Sequence, residues 1–156
     1  MGIEAIMKST IRTLEEGGFD KRVFEYDFGK LNDPSLSSVI LVELGRMSGE
    51  EIDTYGDNWA RRWTIHAGIY QSLQAHSAAE AHQLLMQDID KFLIAIETRI
   101  HLGEGSAEDI RQAKVLNVDQ PIVLSTEEGA IPNWLRSLAR FTVDETESHE
   151  GTAGVE

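Results

Sequence analysis

Histidines are the side chains of this chain best suited to metal binding or proton transfer, and the five present, His66, His76, His82, His101 and His149, are spaced for neither. No HExxH pair and no two-histidine-carboxylate set occurs. His76 and Glu80 lie four apart across the start of a helical pattern, where such a pair reads as solvated surface. His66 falls on the polar side of an alternating stretch, which suits packing or an interface better than catalysis; a small acid-base enzyme built around it is the competing class of function. Asp88 and Asp90 are two apart in a helical pattern, so their carboxylates point to different sides and cannot share a proton. Gly103-Glu104-Gly105 follows a helix and not a strand, which removes the context of a phosphate cradle. The serines offer no GxSxG elbow, and Ser48 and Ser106 stand in acidic segments that disfavour attack on anionic substrates. With no cysteine there is no disulfide, thiolate nucleophile or zinc-thiolate site. The expectation is a protein that is not an enzyme, with no catalytic residue, cofactor or metal.

The elements that would position any surface are clearer. Residues 59 to 71, WARRWTIHAGIYQ, place Trp59, Trp63, Ile65, Ala67 and Ile69 on one face and Ala60, Arg62, Thr64, His66, Gly68 and Tyr70 on the other. This predicts a strand of roughly 40 Å, long enough to bend near Ala67-Gly68 or to extend past its own domain. Trp63 reads as core; Trp59 and Trp134 are equally suited to core or sheet-edge packing and to stacking on bases or ligands. Ile3, Ile6, Met7, Ile11 and Leu14 predict a helix over 3–16, stopped by Gly17-Gly18. Lys21 to Tyr26 and residues 37–44 read as strands, the second fully buried. Residues 45–58, GRMSGEEIDTYGDN, read as a mobile acidic loop between paired strands. Ser77-Ala-Ala-Glu80 is a capping box, opening a helix whose stripe of Ala81, Leu85, Ile89, Phe92, Ile96 and Ile100 must cover a sheet and ends at Gly103. Residues 104–120 admit a short helix through Val115 or a loop, and the loop is preferred. PIVLST and WLRSLARFTVDE form a hairpin about a Gly-Pro turn.

The element order is therefore α-β-β-β-α-β-β, an α+β fold with an antiparallel sheet of about four to five strands packed under two helices. One domain spans residues 1–145, and 146–156 is expected to be a disordered acidic tail. A chain of 156 residues buries roughly 70% of its unfolded surface without staples. No apolar run nears the roughly 20 residues of a membrane span. No basic-then-apolar leader opens the chain, and Ile6 stands where a myristoylation signal wants Ser or Thr. A formal charge of −13 argues against gripping phosphate backbones.

Three stretches, GEEIDTYGDNWARRWTIHAGIY, the long amphipathic helix and VLSTEEGAIPNWLRSLARFTVDE, resemble the tail terminator proteins of long-tailed bacteriophages, the lambda-like tail-tube terminators. The likeness covers residues 3 to 145 and is weakest over 104–118. It implies a homo-oligomeric ring, usually a hexamer, that caps the tail tube, halts its polymerisation and offers a face to the head-completion or neck protein. DNA would pass through the lumen without specific binding, as an acidic surface suits. The place implied is the head-proximal end of the virion tail, and the bacterial cytoplasm during assembly. A neck or tail-completion protein of the same fold is the alternative.

A two-sided strand whose helices cover one face needs a partner on the other. The expected subunit interface is thus Trp59, Arg61, Arg62, Thr64, His66 and Tyr70. The expected tube- or neck-facing loop carries Ser48, Glu50, Glu51, Asp53 and Tyr55, its carboxylates meeting Arg61 or Arg62 of a neighbouring copy.

Overall fold

The computed structural model describes residues 3–33, 35–45, 50–55, 58–98, 110–125 and 133–148, with backbone alone at 3, 5, 28, 50–55, 58–61, 98, 110–112 and 145–148. Helix α1 runs Ile3–Leu14 and passes into a wide turn, Glu15–Phe19. The turn is made possible by Gly18, whose φ of 111° is a left-handed value that side chains resist. A Cβ on Gly17 would stand 2.7 Å from that of Ala95, so the missing side chain also lets the two helices approach. Helix α2, Ala78–Thr98, starts where Ser77 Oγ accepts from the Glu80 amide at 3.2 Å. The second arm of the expected capping box is redirected: the Glu80 carboxylate lies 2.8 Å from His76 Nδ1. The end of α2 expected at Gly103 lies outside the described residues.

Among the described residues seven strands form one sheet: β1 Val23–Glu25, β2 Ser38–Leu44, β3 Glu50–Tyr55, β4 Asn58–Ser72, β5 Ile110–Val118, β6 Ile122–Leu124 and β7 Trp134–Ser148. Their order is β1-β2-β4-β7-β5, with β3 added to β4 and β6 to β7. Every pair is antiparallel except β1 with β2. The fold is the expected α+β arrangement, with two strands more than the sequence indicates. At its centre β4 and β7 pair from Asn58↔Ser148 to Ser72↔Trp134 without a register break, so no bulge interrupts the long strand at Ala67-Gly68. The outer side of β4 is shared by β3, opposite residues 58–62, and β2, opposite 65–71.

Three expectations are corrected. Residues 50–55 are a strand and not a loop, because EEIDTY pairs back on β4 as a hairpin arm with a bulge between Glu51 and Asp53. Residues 110–118 are neither helix nor loop: Ala113 faces Val143 and Val115 faces Phe141, so β7 supplies the apolar partners that the segment's own polarity conceals. Strand β7 continues through Ser148, three residues into the expected tail.

Alternation divides the sheet into two faces. On the helix side Ile40, Val42, Ile65, Ala67, Ile69, Ala139, Phe141 and Val143 pack against Ile6, Leu14, Leu85, Phe92 and Ile96. Phe92 and Phe141, both fully buried, meet edge to face with centroids 5.8 Å apart, each contributing about 2–3 kcal/mol by burial. One polar group crosses this layer. Asp88 of α2, 6% exposed, accepts from Gln71 Nε2 at 2.6 Å, and from Ser38 Oγ and Arg22 at 3.3 Å each; Arg22 also donates to Ser38. Asp90 points outward, as the two-residue spacing requires.

Candidate assembly surface

On the opposite face the described residues roof the sheet at one end. There a short 3-10 turn, Phe28–Asn32, folds beneath it, capped by Asp27, whose carboxylate accepts from the Gly29 amide at 3.1 Å. Leu31 packs with Val39, Leu41, Tyr70 and Trp134 into a second apolar cluster. Trp134, 3% exposed, donates from Nε1 to the Leu31 carbonyl at 2.9 Å and meets Tyr70 edge-on at 6.1 Å. Trp134 is therefore a core residue, and so is Tyr70, 5% exposed, which was expected at an interface. Period-two alternation puts Tyr70 on the correct face but cannot show that a turn forty residues upstream covers it. Burial pushes the Tyr70 phenol up from its usual range, against a hydrogen bond and positive charge from Arg136.

Beyond that roof the face is open and polar. Arg62 and Asp144 stand directly opposite across β4 and β7, joined by two parallel bonds: Nε to Oδ1 at 2.9 Å and Nη2 to Oδ2 at 3.1 Å. Thr64 faces Thr142, and His66 faces Arg140 on one side and Glu43 on the other. Burial and the Arg140 charge lower the His66 pKa below its ordinary value, so the neutral ring is favoured. Arg140 donates to Asp119 at 2.7 Å, and this bond holds that carboxyl below its usual range. Arg62, Thr64, Lys114, Leu116, Thr142 and Asp144 line an open hollow of about 590 Å³.

Of the expected interface residues, the structure thus brings Arg62, Thr64 and His66 together on the open face and removes Tyr70 from it. Trp59 and Arg61 lie in β4, with side chains outside the described residues. Trp63 is half-buried against the helix-side core, as its face predicts. Ser48 lies outside the described residues, whereas Glu50, Glu51, Asp53 and Tyr55 belong to β3, with Glu50 opposite Arg62 and Glu51 opposite Arg61 of the same chain. Arg62 was expected to meet a neighbouring copy's carboxylate; its described partner is Asp144 of its own chain. Asp144, Asp119, Arg136, Arg140, Lys114 and Leu116 were not anticipated. The signal for the β7 members is alternation in WLRSLARFTVD, where Leu135, Ser137, Ala139, Phe141 and Val143 take one face and leave the arginines on the other.

Among the described residues no helix is long and apolar enough to cross a membrane, and no group of three or more His, Asp or Glu could hold a metal ion. No protein-family model matches the chain, and no curated protein matches its sequence.

Proposed function

We propose that this chain is a virion structural protein of the tail-terminator type: copies of it form a ring on the tail tube, stop its polymerisation and present a joining face to the head-completion protein. The observation that carries the reading is the two-sided β4–β7 ribbon. Helices seal one face of it, and the other is left open from Arg62 to His66 over a polar surface. A subunit with two unlike faces associates head to tail, and a head-to-tail contact that closes on itself gives a ring. Such a ring matches the growing tube end on one side and carries different loops on the other, which removes the template for the next layer. The likeness of residues 3–145 to lambda-like terminators supplies the tube and the head as partners, and the −13 charge suits a lumen through which DNA slides without sticking.

The test is to mix the purified chain with polymerising tail-tube protein and, separately, with connector-bearing heads, and to examine both by electron microscopy. Rings on tube ends and tubes of limited length are expected. Binding to heads alone would assign the chain to the neck instead, and tubes of unaltered length with bare ends would remove the terminator reading.

A further inference from the structure

The two lateral edges of the sheet are unlike each other and complementary. At one edge lies β6, whose three residues Ile-Val-Leu follow Pro121 and carry no charge and no bulge. Ile122 and Val123 are consecutive, so they point to opposite faces, yet both are about half exposed, at 47% and 58%. A flat partner could cover one of them; a strand laid alongside covers both. Leu116 on β5 continues the same exposed apolar row. The charged residues among 113–125 and 134–144 are Lys114, Arg136 and Arg140 against Asp119 and Asp144, with Arg140 bonded to Asp119. At the other edge lies β1, with exposed Tyr26 following it and exposed Leu44 at the end of β2. The charges following β1 and on β2 are Glu25, Asp27 and Glu43, with Lys30 drawn over the Phe24 ring at 4.8 Å, while Asp20, Lys21 and Arg22 precede β1.

We infer that the β6 edge of one copy pairs with the β1 edge of the next, so that the ring is closed by a sheet continuous from subunit to subunit; this deepens the ring reading above and rests on it. Strand directions favour the join. Strands β1, β2 and β7 run one way, and β4, β5 and β6 the other. Copies related by rotation about an axis along the strands therefore set β1 antiparallel to the neighbouring β6, the more stable arrangement. Exposed Lys114 lies on the edge that meets exposed Glu25 and Asp27, and Tyr26 and Leu44 come beside Ile122 and Val123.

Val123→Lys and the double variant Glu25→Lys/Tyr26→Lys each change only exposed side chains; circular dichroism checks that both remain folded. Each kills one edge and leaves the other intact. Sedimentation at about 0.15 M salt should show a closed assembly larger than a dimer for the natural chain, monomers for each variant, and a heterodimer, no larger, in their equimolar mixture. The pairing is overturned if either variant assembles like the natural chain, or if the mixture stays monomeric. It is overturned equally if Glu25→Lys/Tyr26→Lys dimerises without Val123→Lys, the mark of β6 pairing with itself, or if the natural chain stays monomeric up to about 1 mM. Rings that follow this pattern but leave tube ends bare keep the pairing and lose the terminator role. Tube capping by Val123→Lys does the reverse.

Discussion

Asp88 and Asp90 sit two positions apart on α2, and the structure gives them opposite fates. Asp88→Ala removes a carboxylate that is 6% exposed and accepts from Gln71, Ser38 and Arg22 at 2.6, 3.3 and 3.3 Å. Three donors then lose an acceptor in the layer between helix and sheet, and the Gln71 and Arg22 side chains are left with Ser38 Oγ as their acceptor among the described residues. Removing one partner of a fully buried ion pair costs about 3–5 kcal/mol. Water can reach the Arg22 side chain, which is 29% exposed, so a loss of about 2–3 kcal/mol is expected here. With a urea slope of about 1.5–2 kcal/mol per M, that moves the unfolding midpoint down by about 1.5 M. Asp90→Ala, on the exposed side, should stay within about 0.5 kcal/mol of the natural chain. Because the lost stability comes from stranded donors, adding Arg22→Met to Asp88→Ala should cost less than the two changes summed, with a coupling of about 1 kcal/mol or more. Equal midpoints for the two aspartate variants, or simple additivity in the cycle, would refute the reasoning.

Gly68→Ala should destabilise by about 1–3 kcal/mol and weaken the near-ultraviolet dichroism of the aromatic pair, because the new Cβ would stand 2.6 Å from Tyr70 Cε1 in a ring wedged against Trp134. His66 has its pKa lowered in the folded chain by burial and then by Arg140, so between the unfolded value near 6.5 and the folded value the unfolded state binds more protons. Its contribution to stability is therefore present above pH 6.5 and declines as pH falls through that window. Urea midpoints measured from pH 7.5 to 5 should drop less steeply in His66→Gln, and identical slopes would count against this. Arg62 and Asp144 are 43% and 26% exposed, so a double-mutant cycle should give a modest coupling of about 0.5–1 kcal/mol. Arg62→Ala should lower stability by a similar amount, and an unchanged urea midpoint would count against the pairing.

The elements legible in the sequence are those whose pattern is satisfied locally or by one buried face. Helix α2 announces itself through Ser77 and the run from Ala81 to Ile96, and β4 through alternation sustained from Trp59 to Gln71. Strands β3 and β5 were missed for a shared reason. Both lie on outer sides of the β4–β7 ribbon and carry charge, Glu50, Glu51 and Asp53 on one, Arg111 and Lys114 on the other. Charge defends an exposed edge against stray pairing, and in a single sequence that defence resembles a loop. The bulge between Val115 and Asn117 further hides β5 by shifting its alternation midway. Contacts that join distant positions leave no local trace either, so Arg62 with Asp144, 82 residues apart, and Leu31 with Trp134, 103 apart, become visible only in the fold. Of the two lateral strands, β1 is legible through Val23 and Phe24, and β6 because Ile122, Val123 and Leu124 carry no charge at all. The feature that exposes it in the sequence is the same feature that leaves its edge undefended in the structure. A folded chain that charges its other outer strands and spares this one has a reason to keep that edge available for pairing.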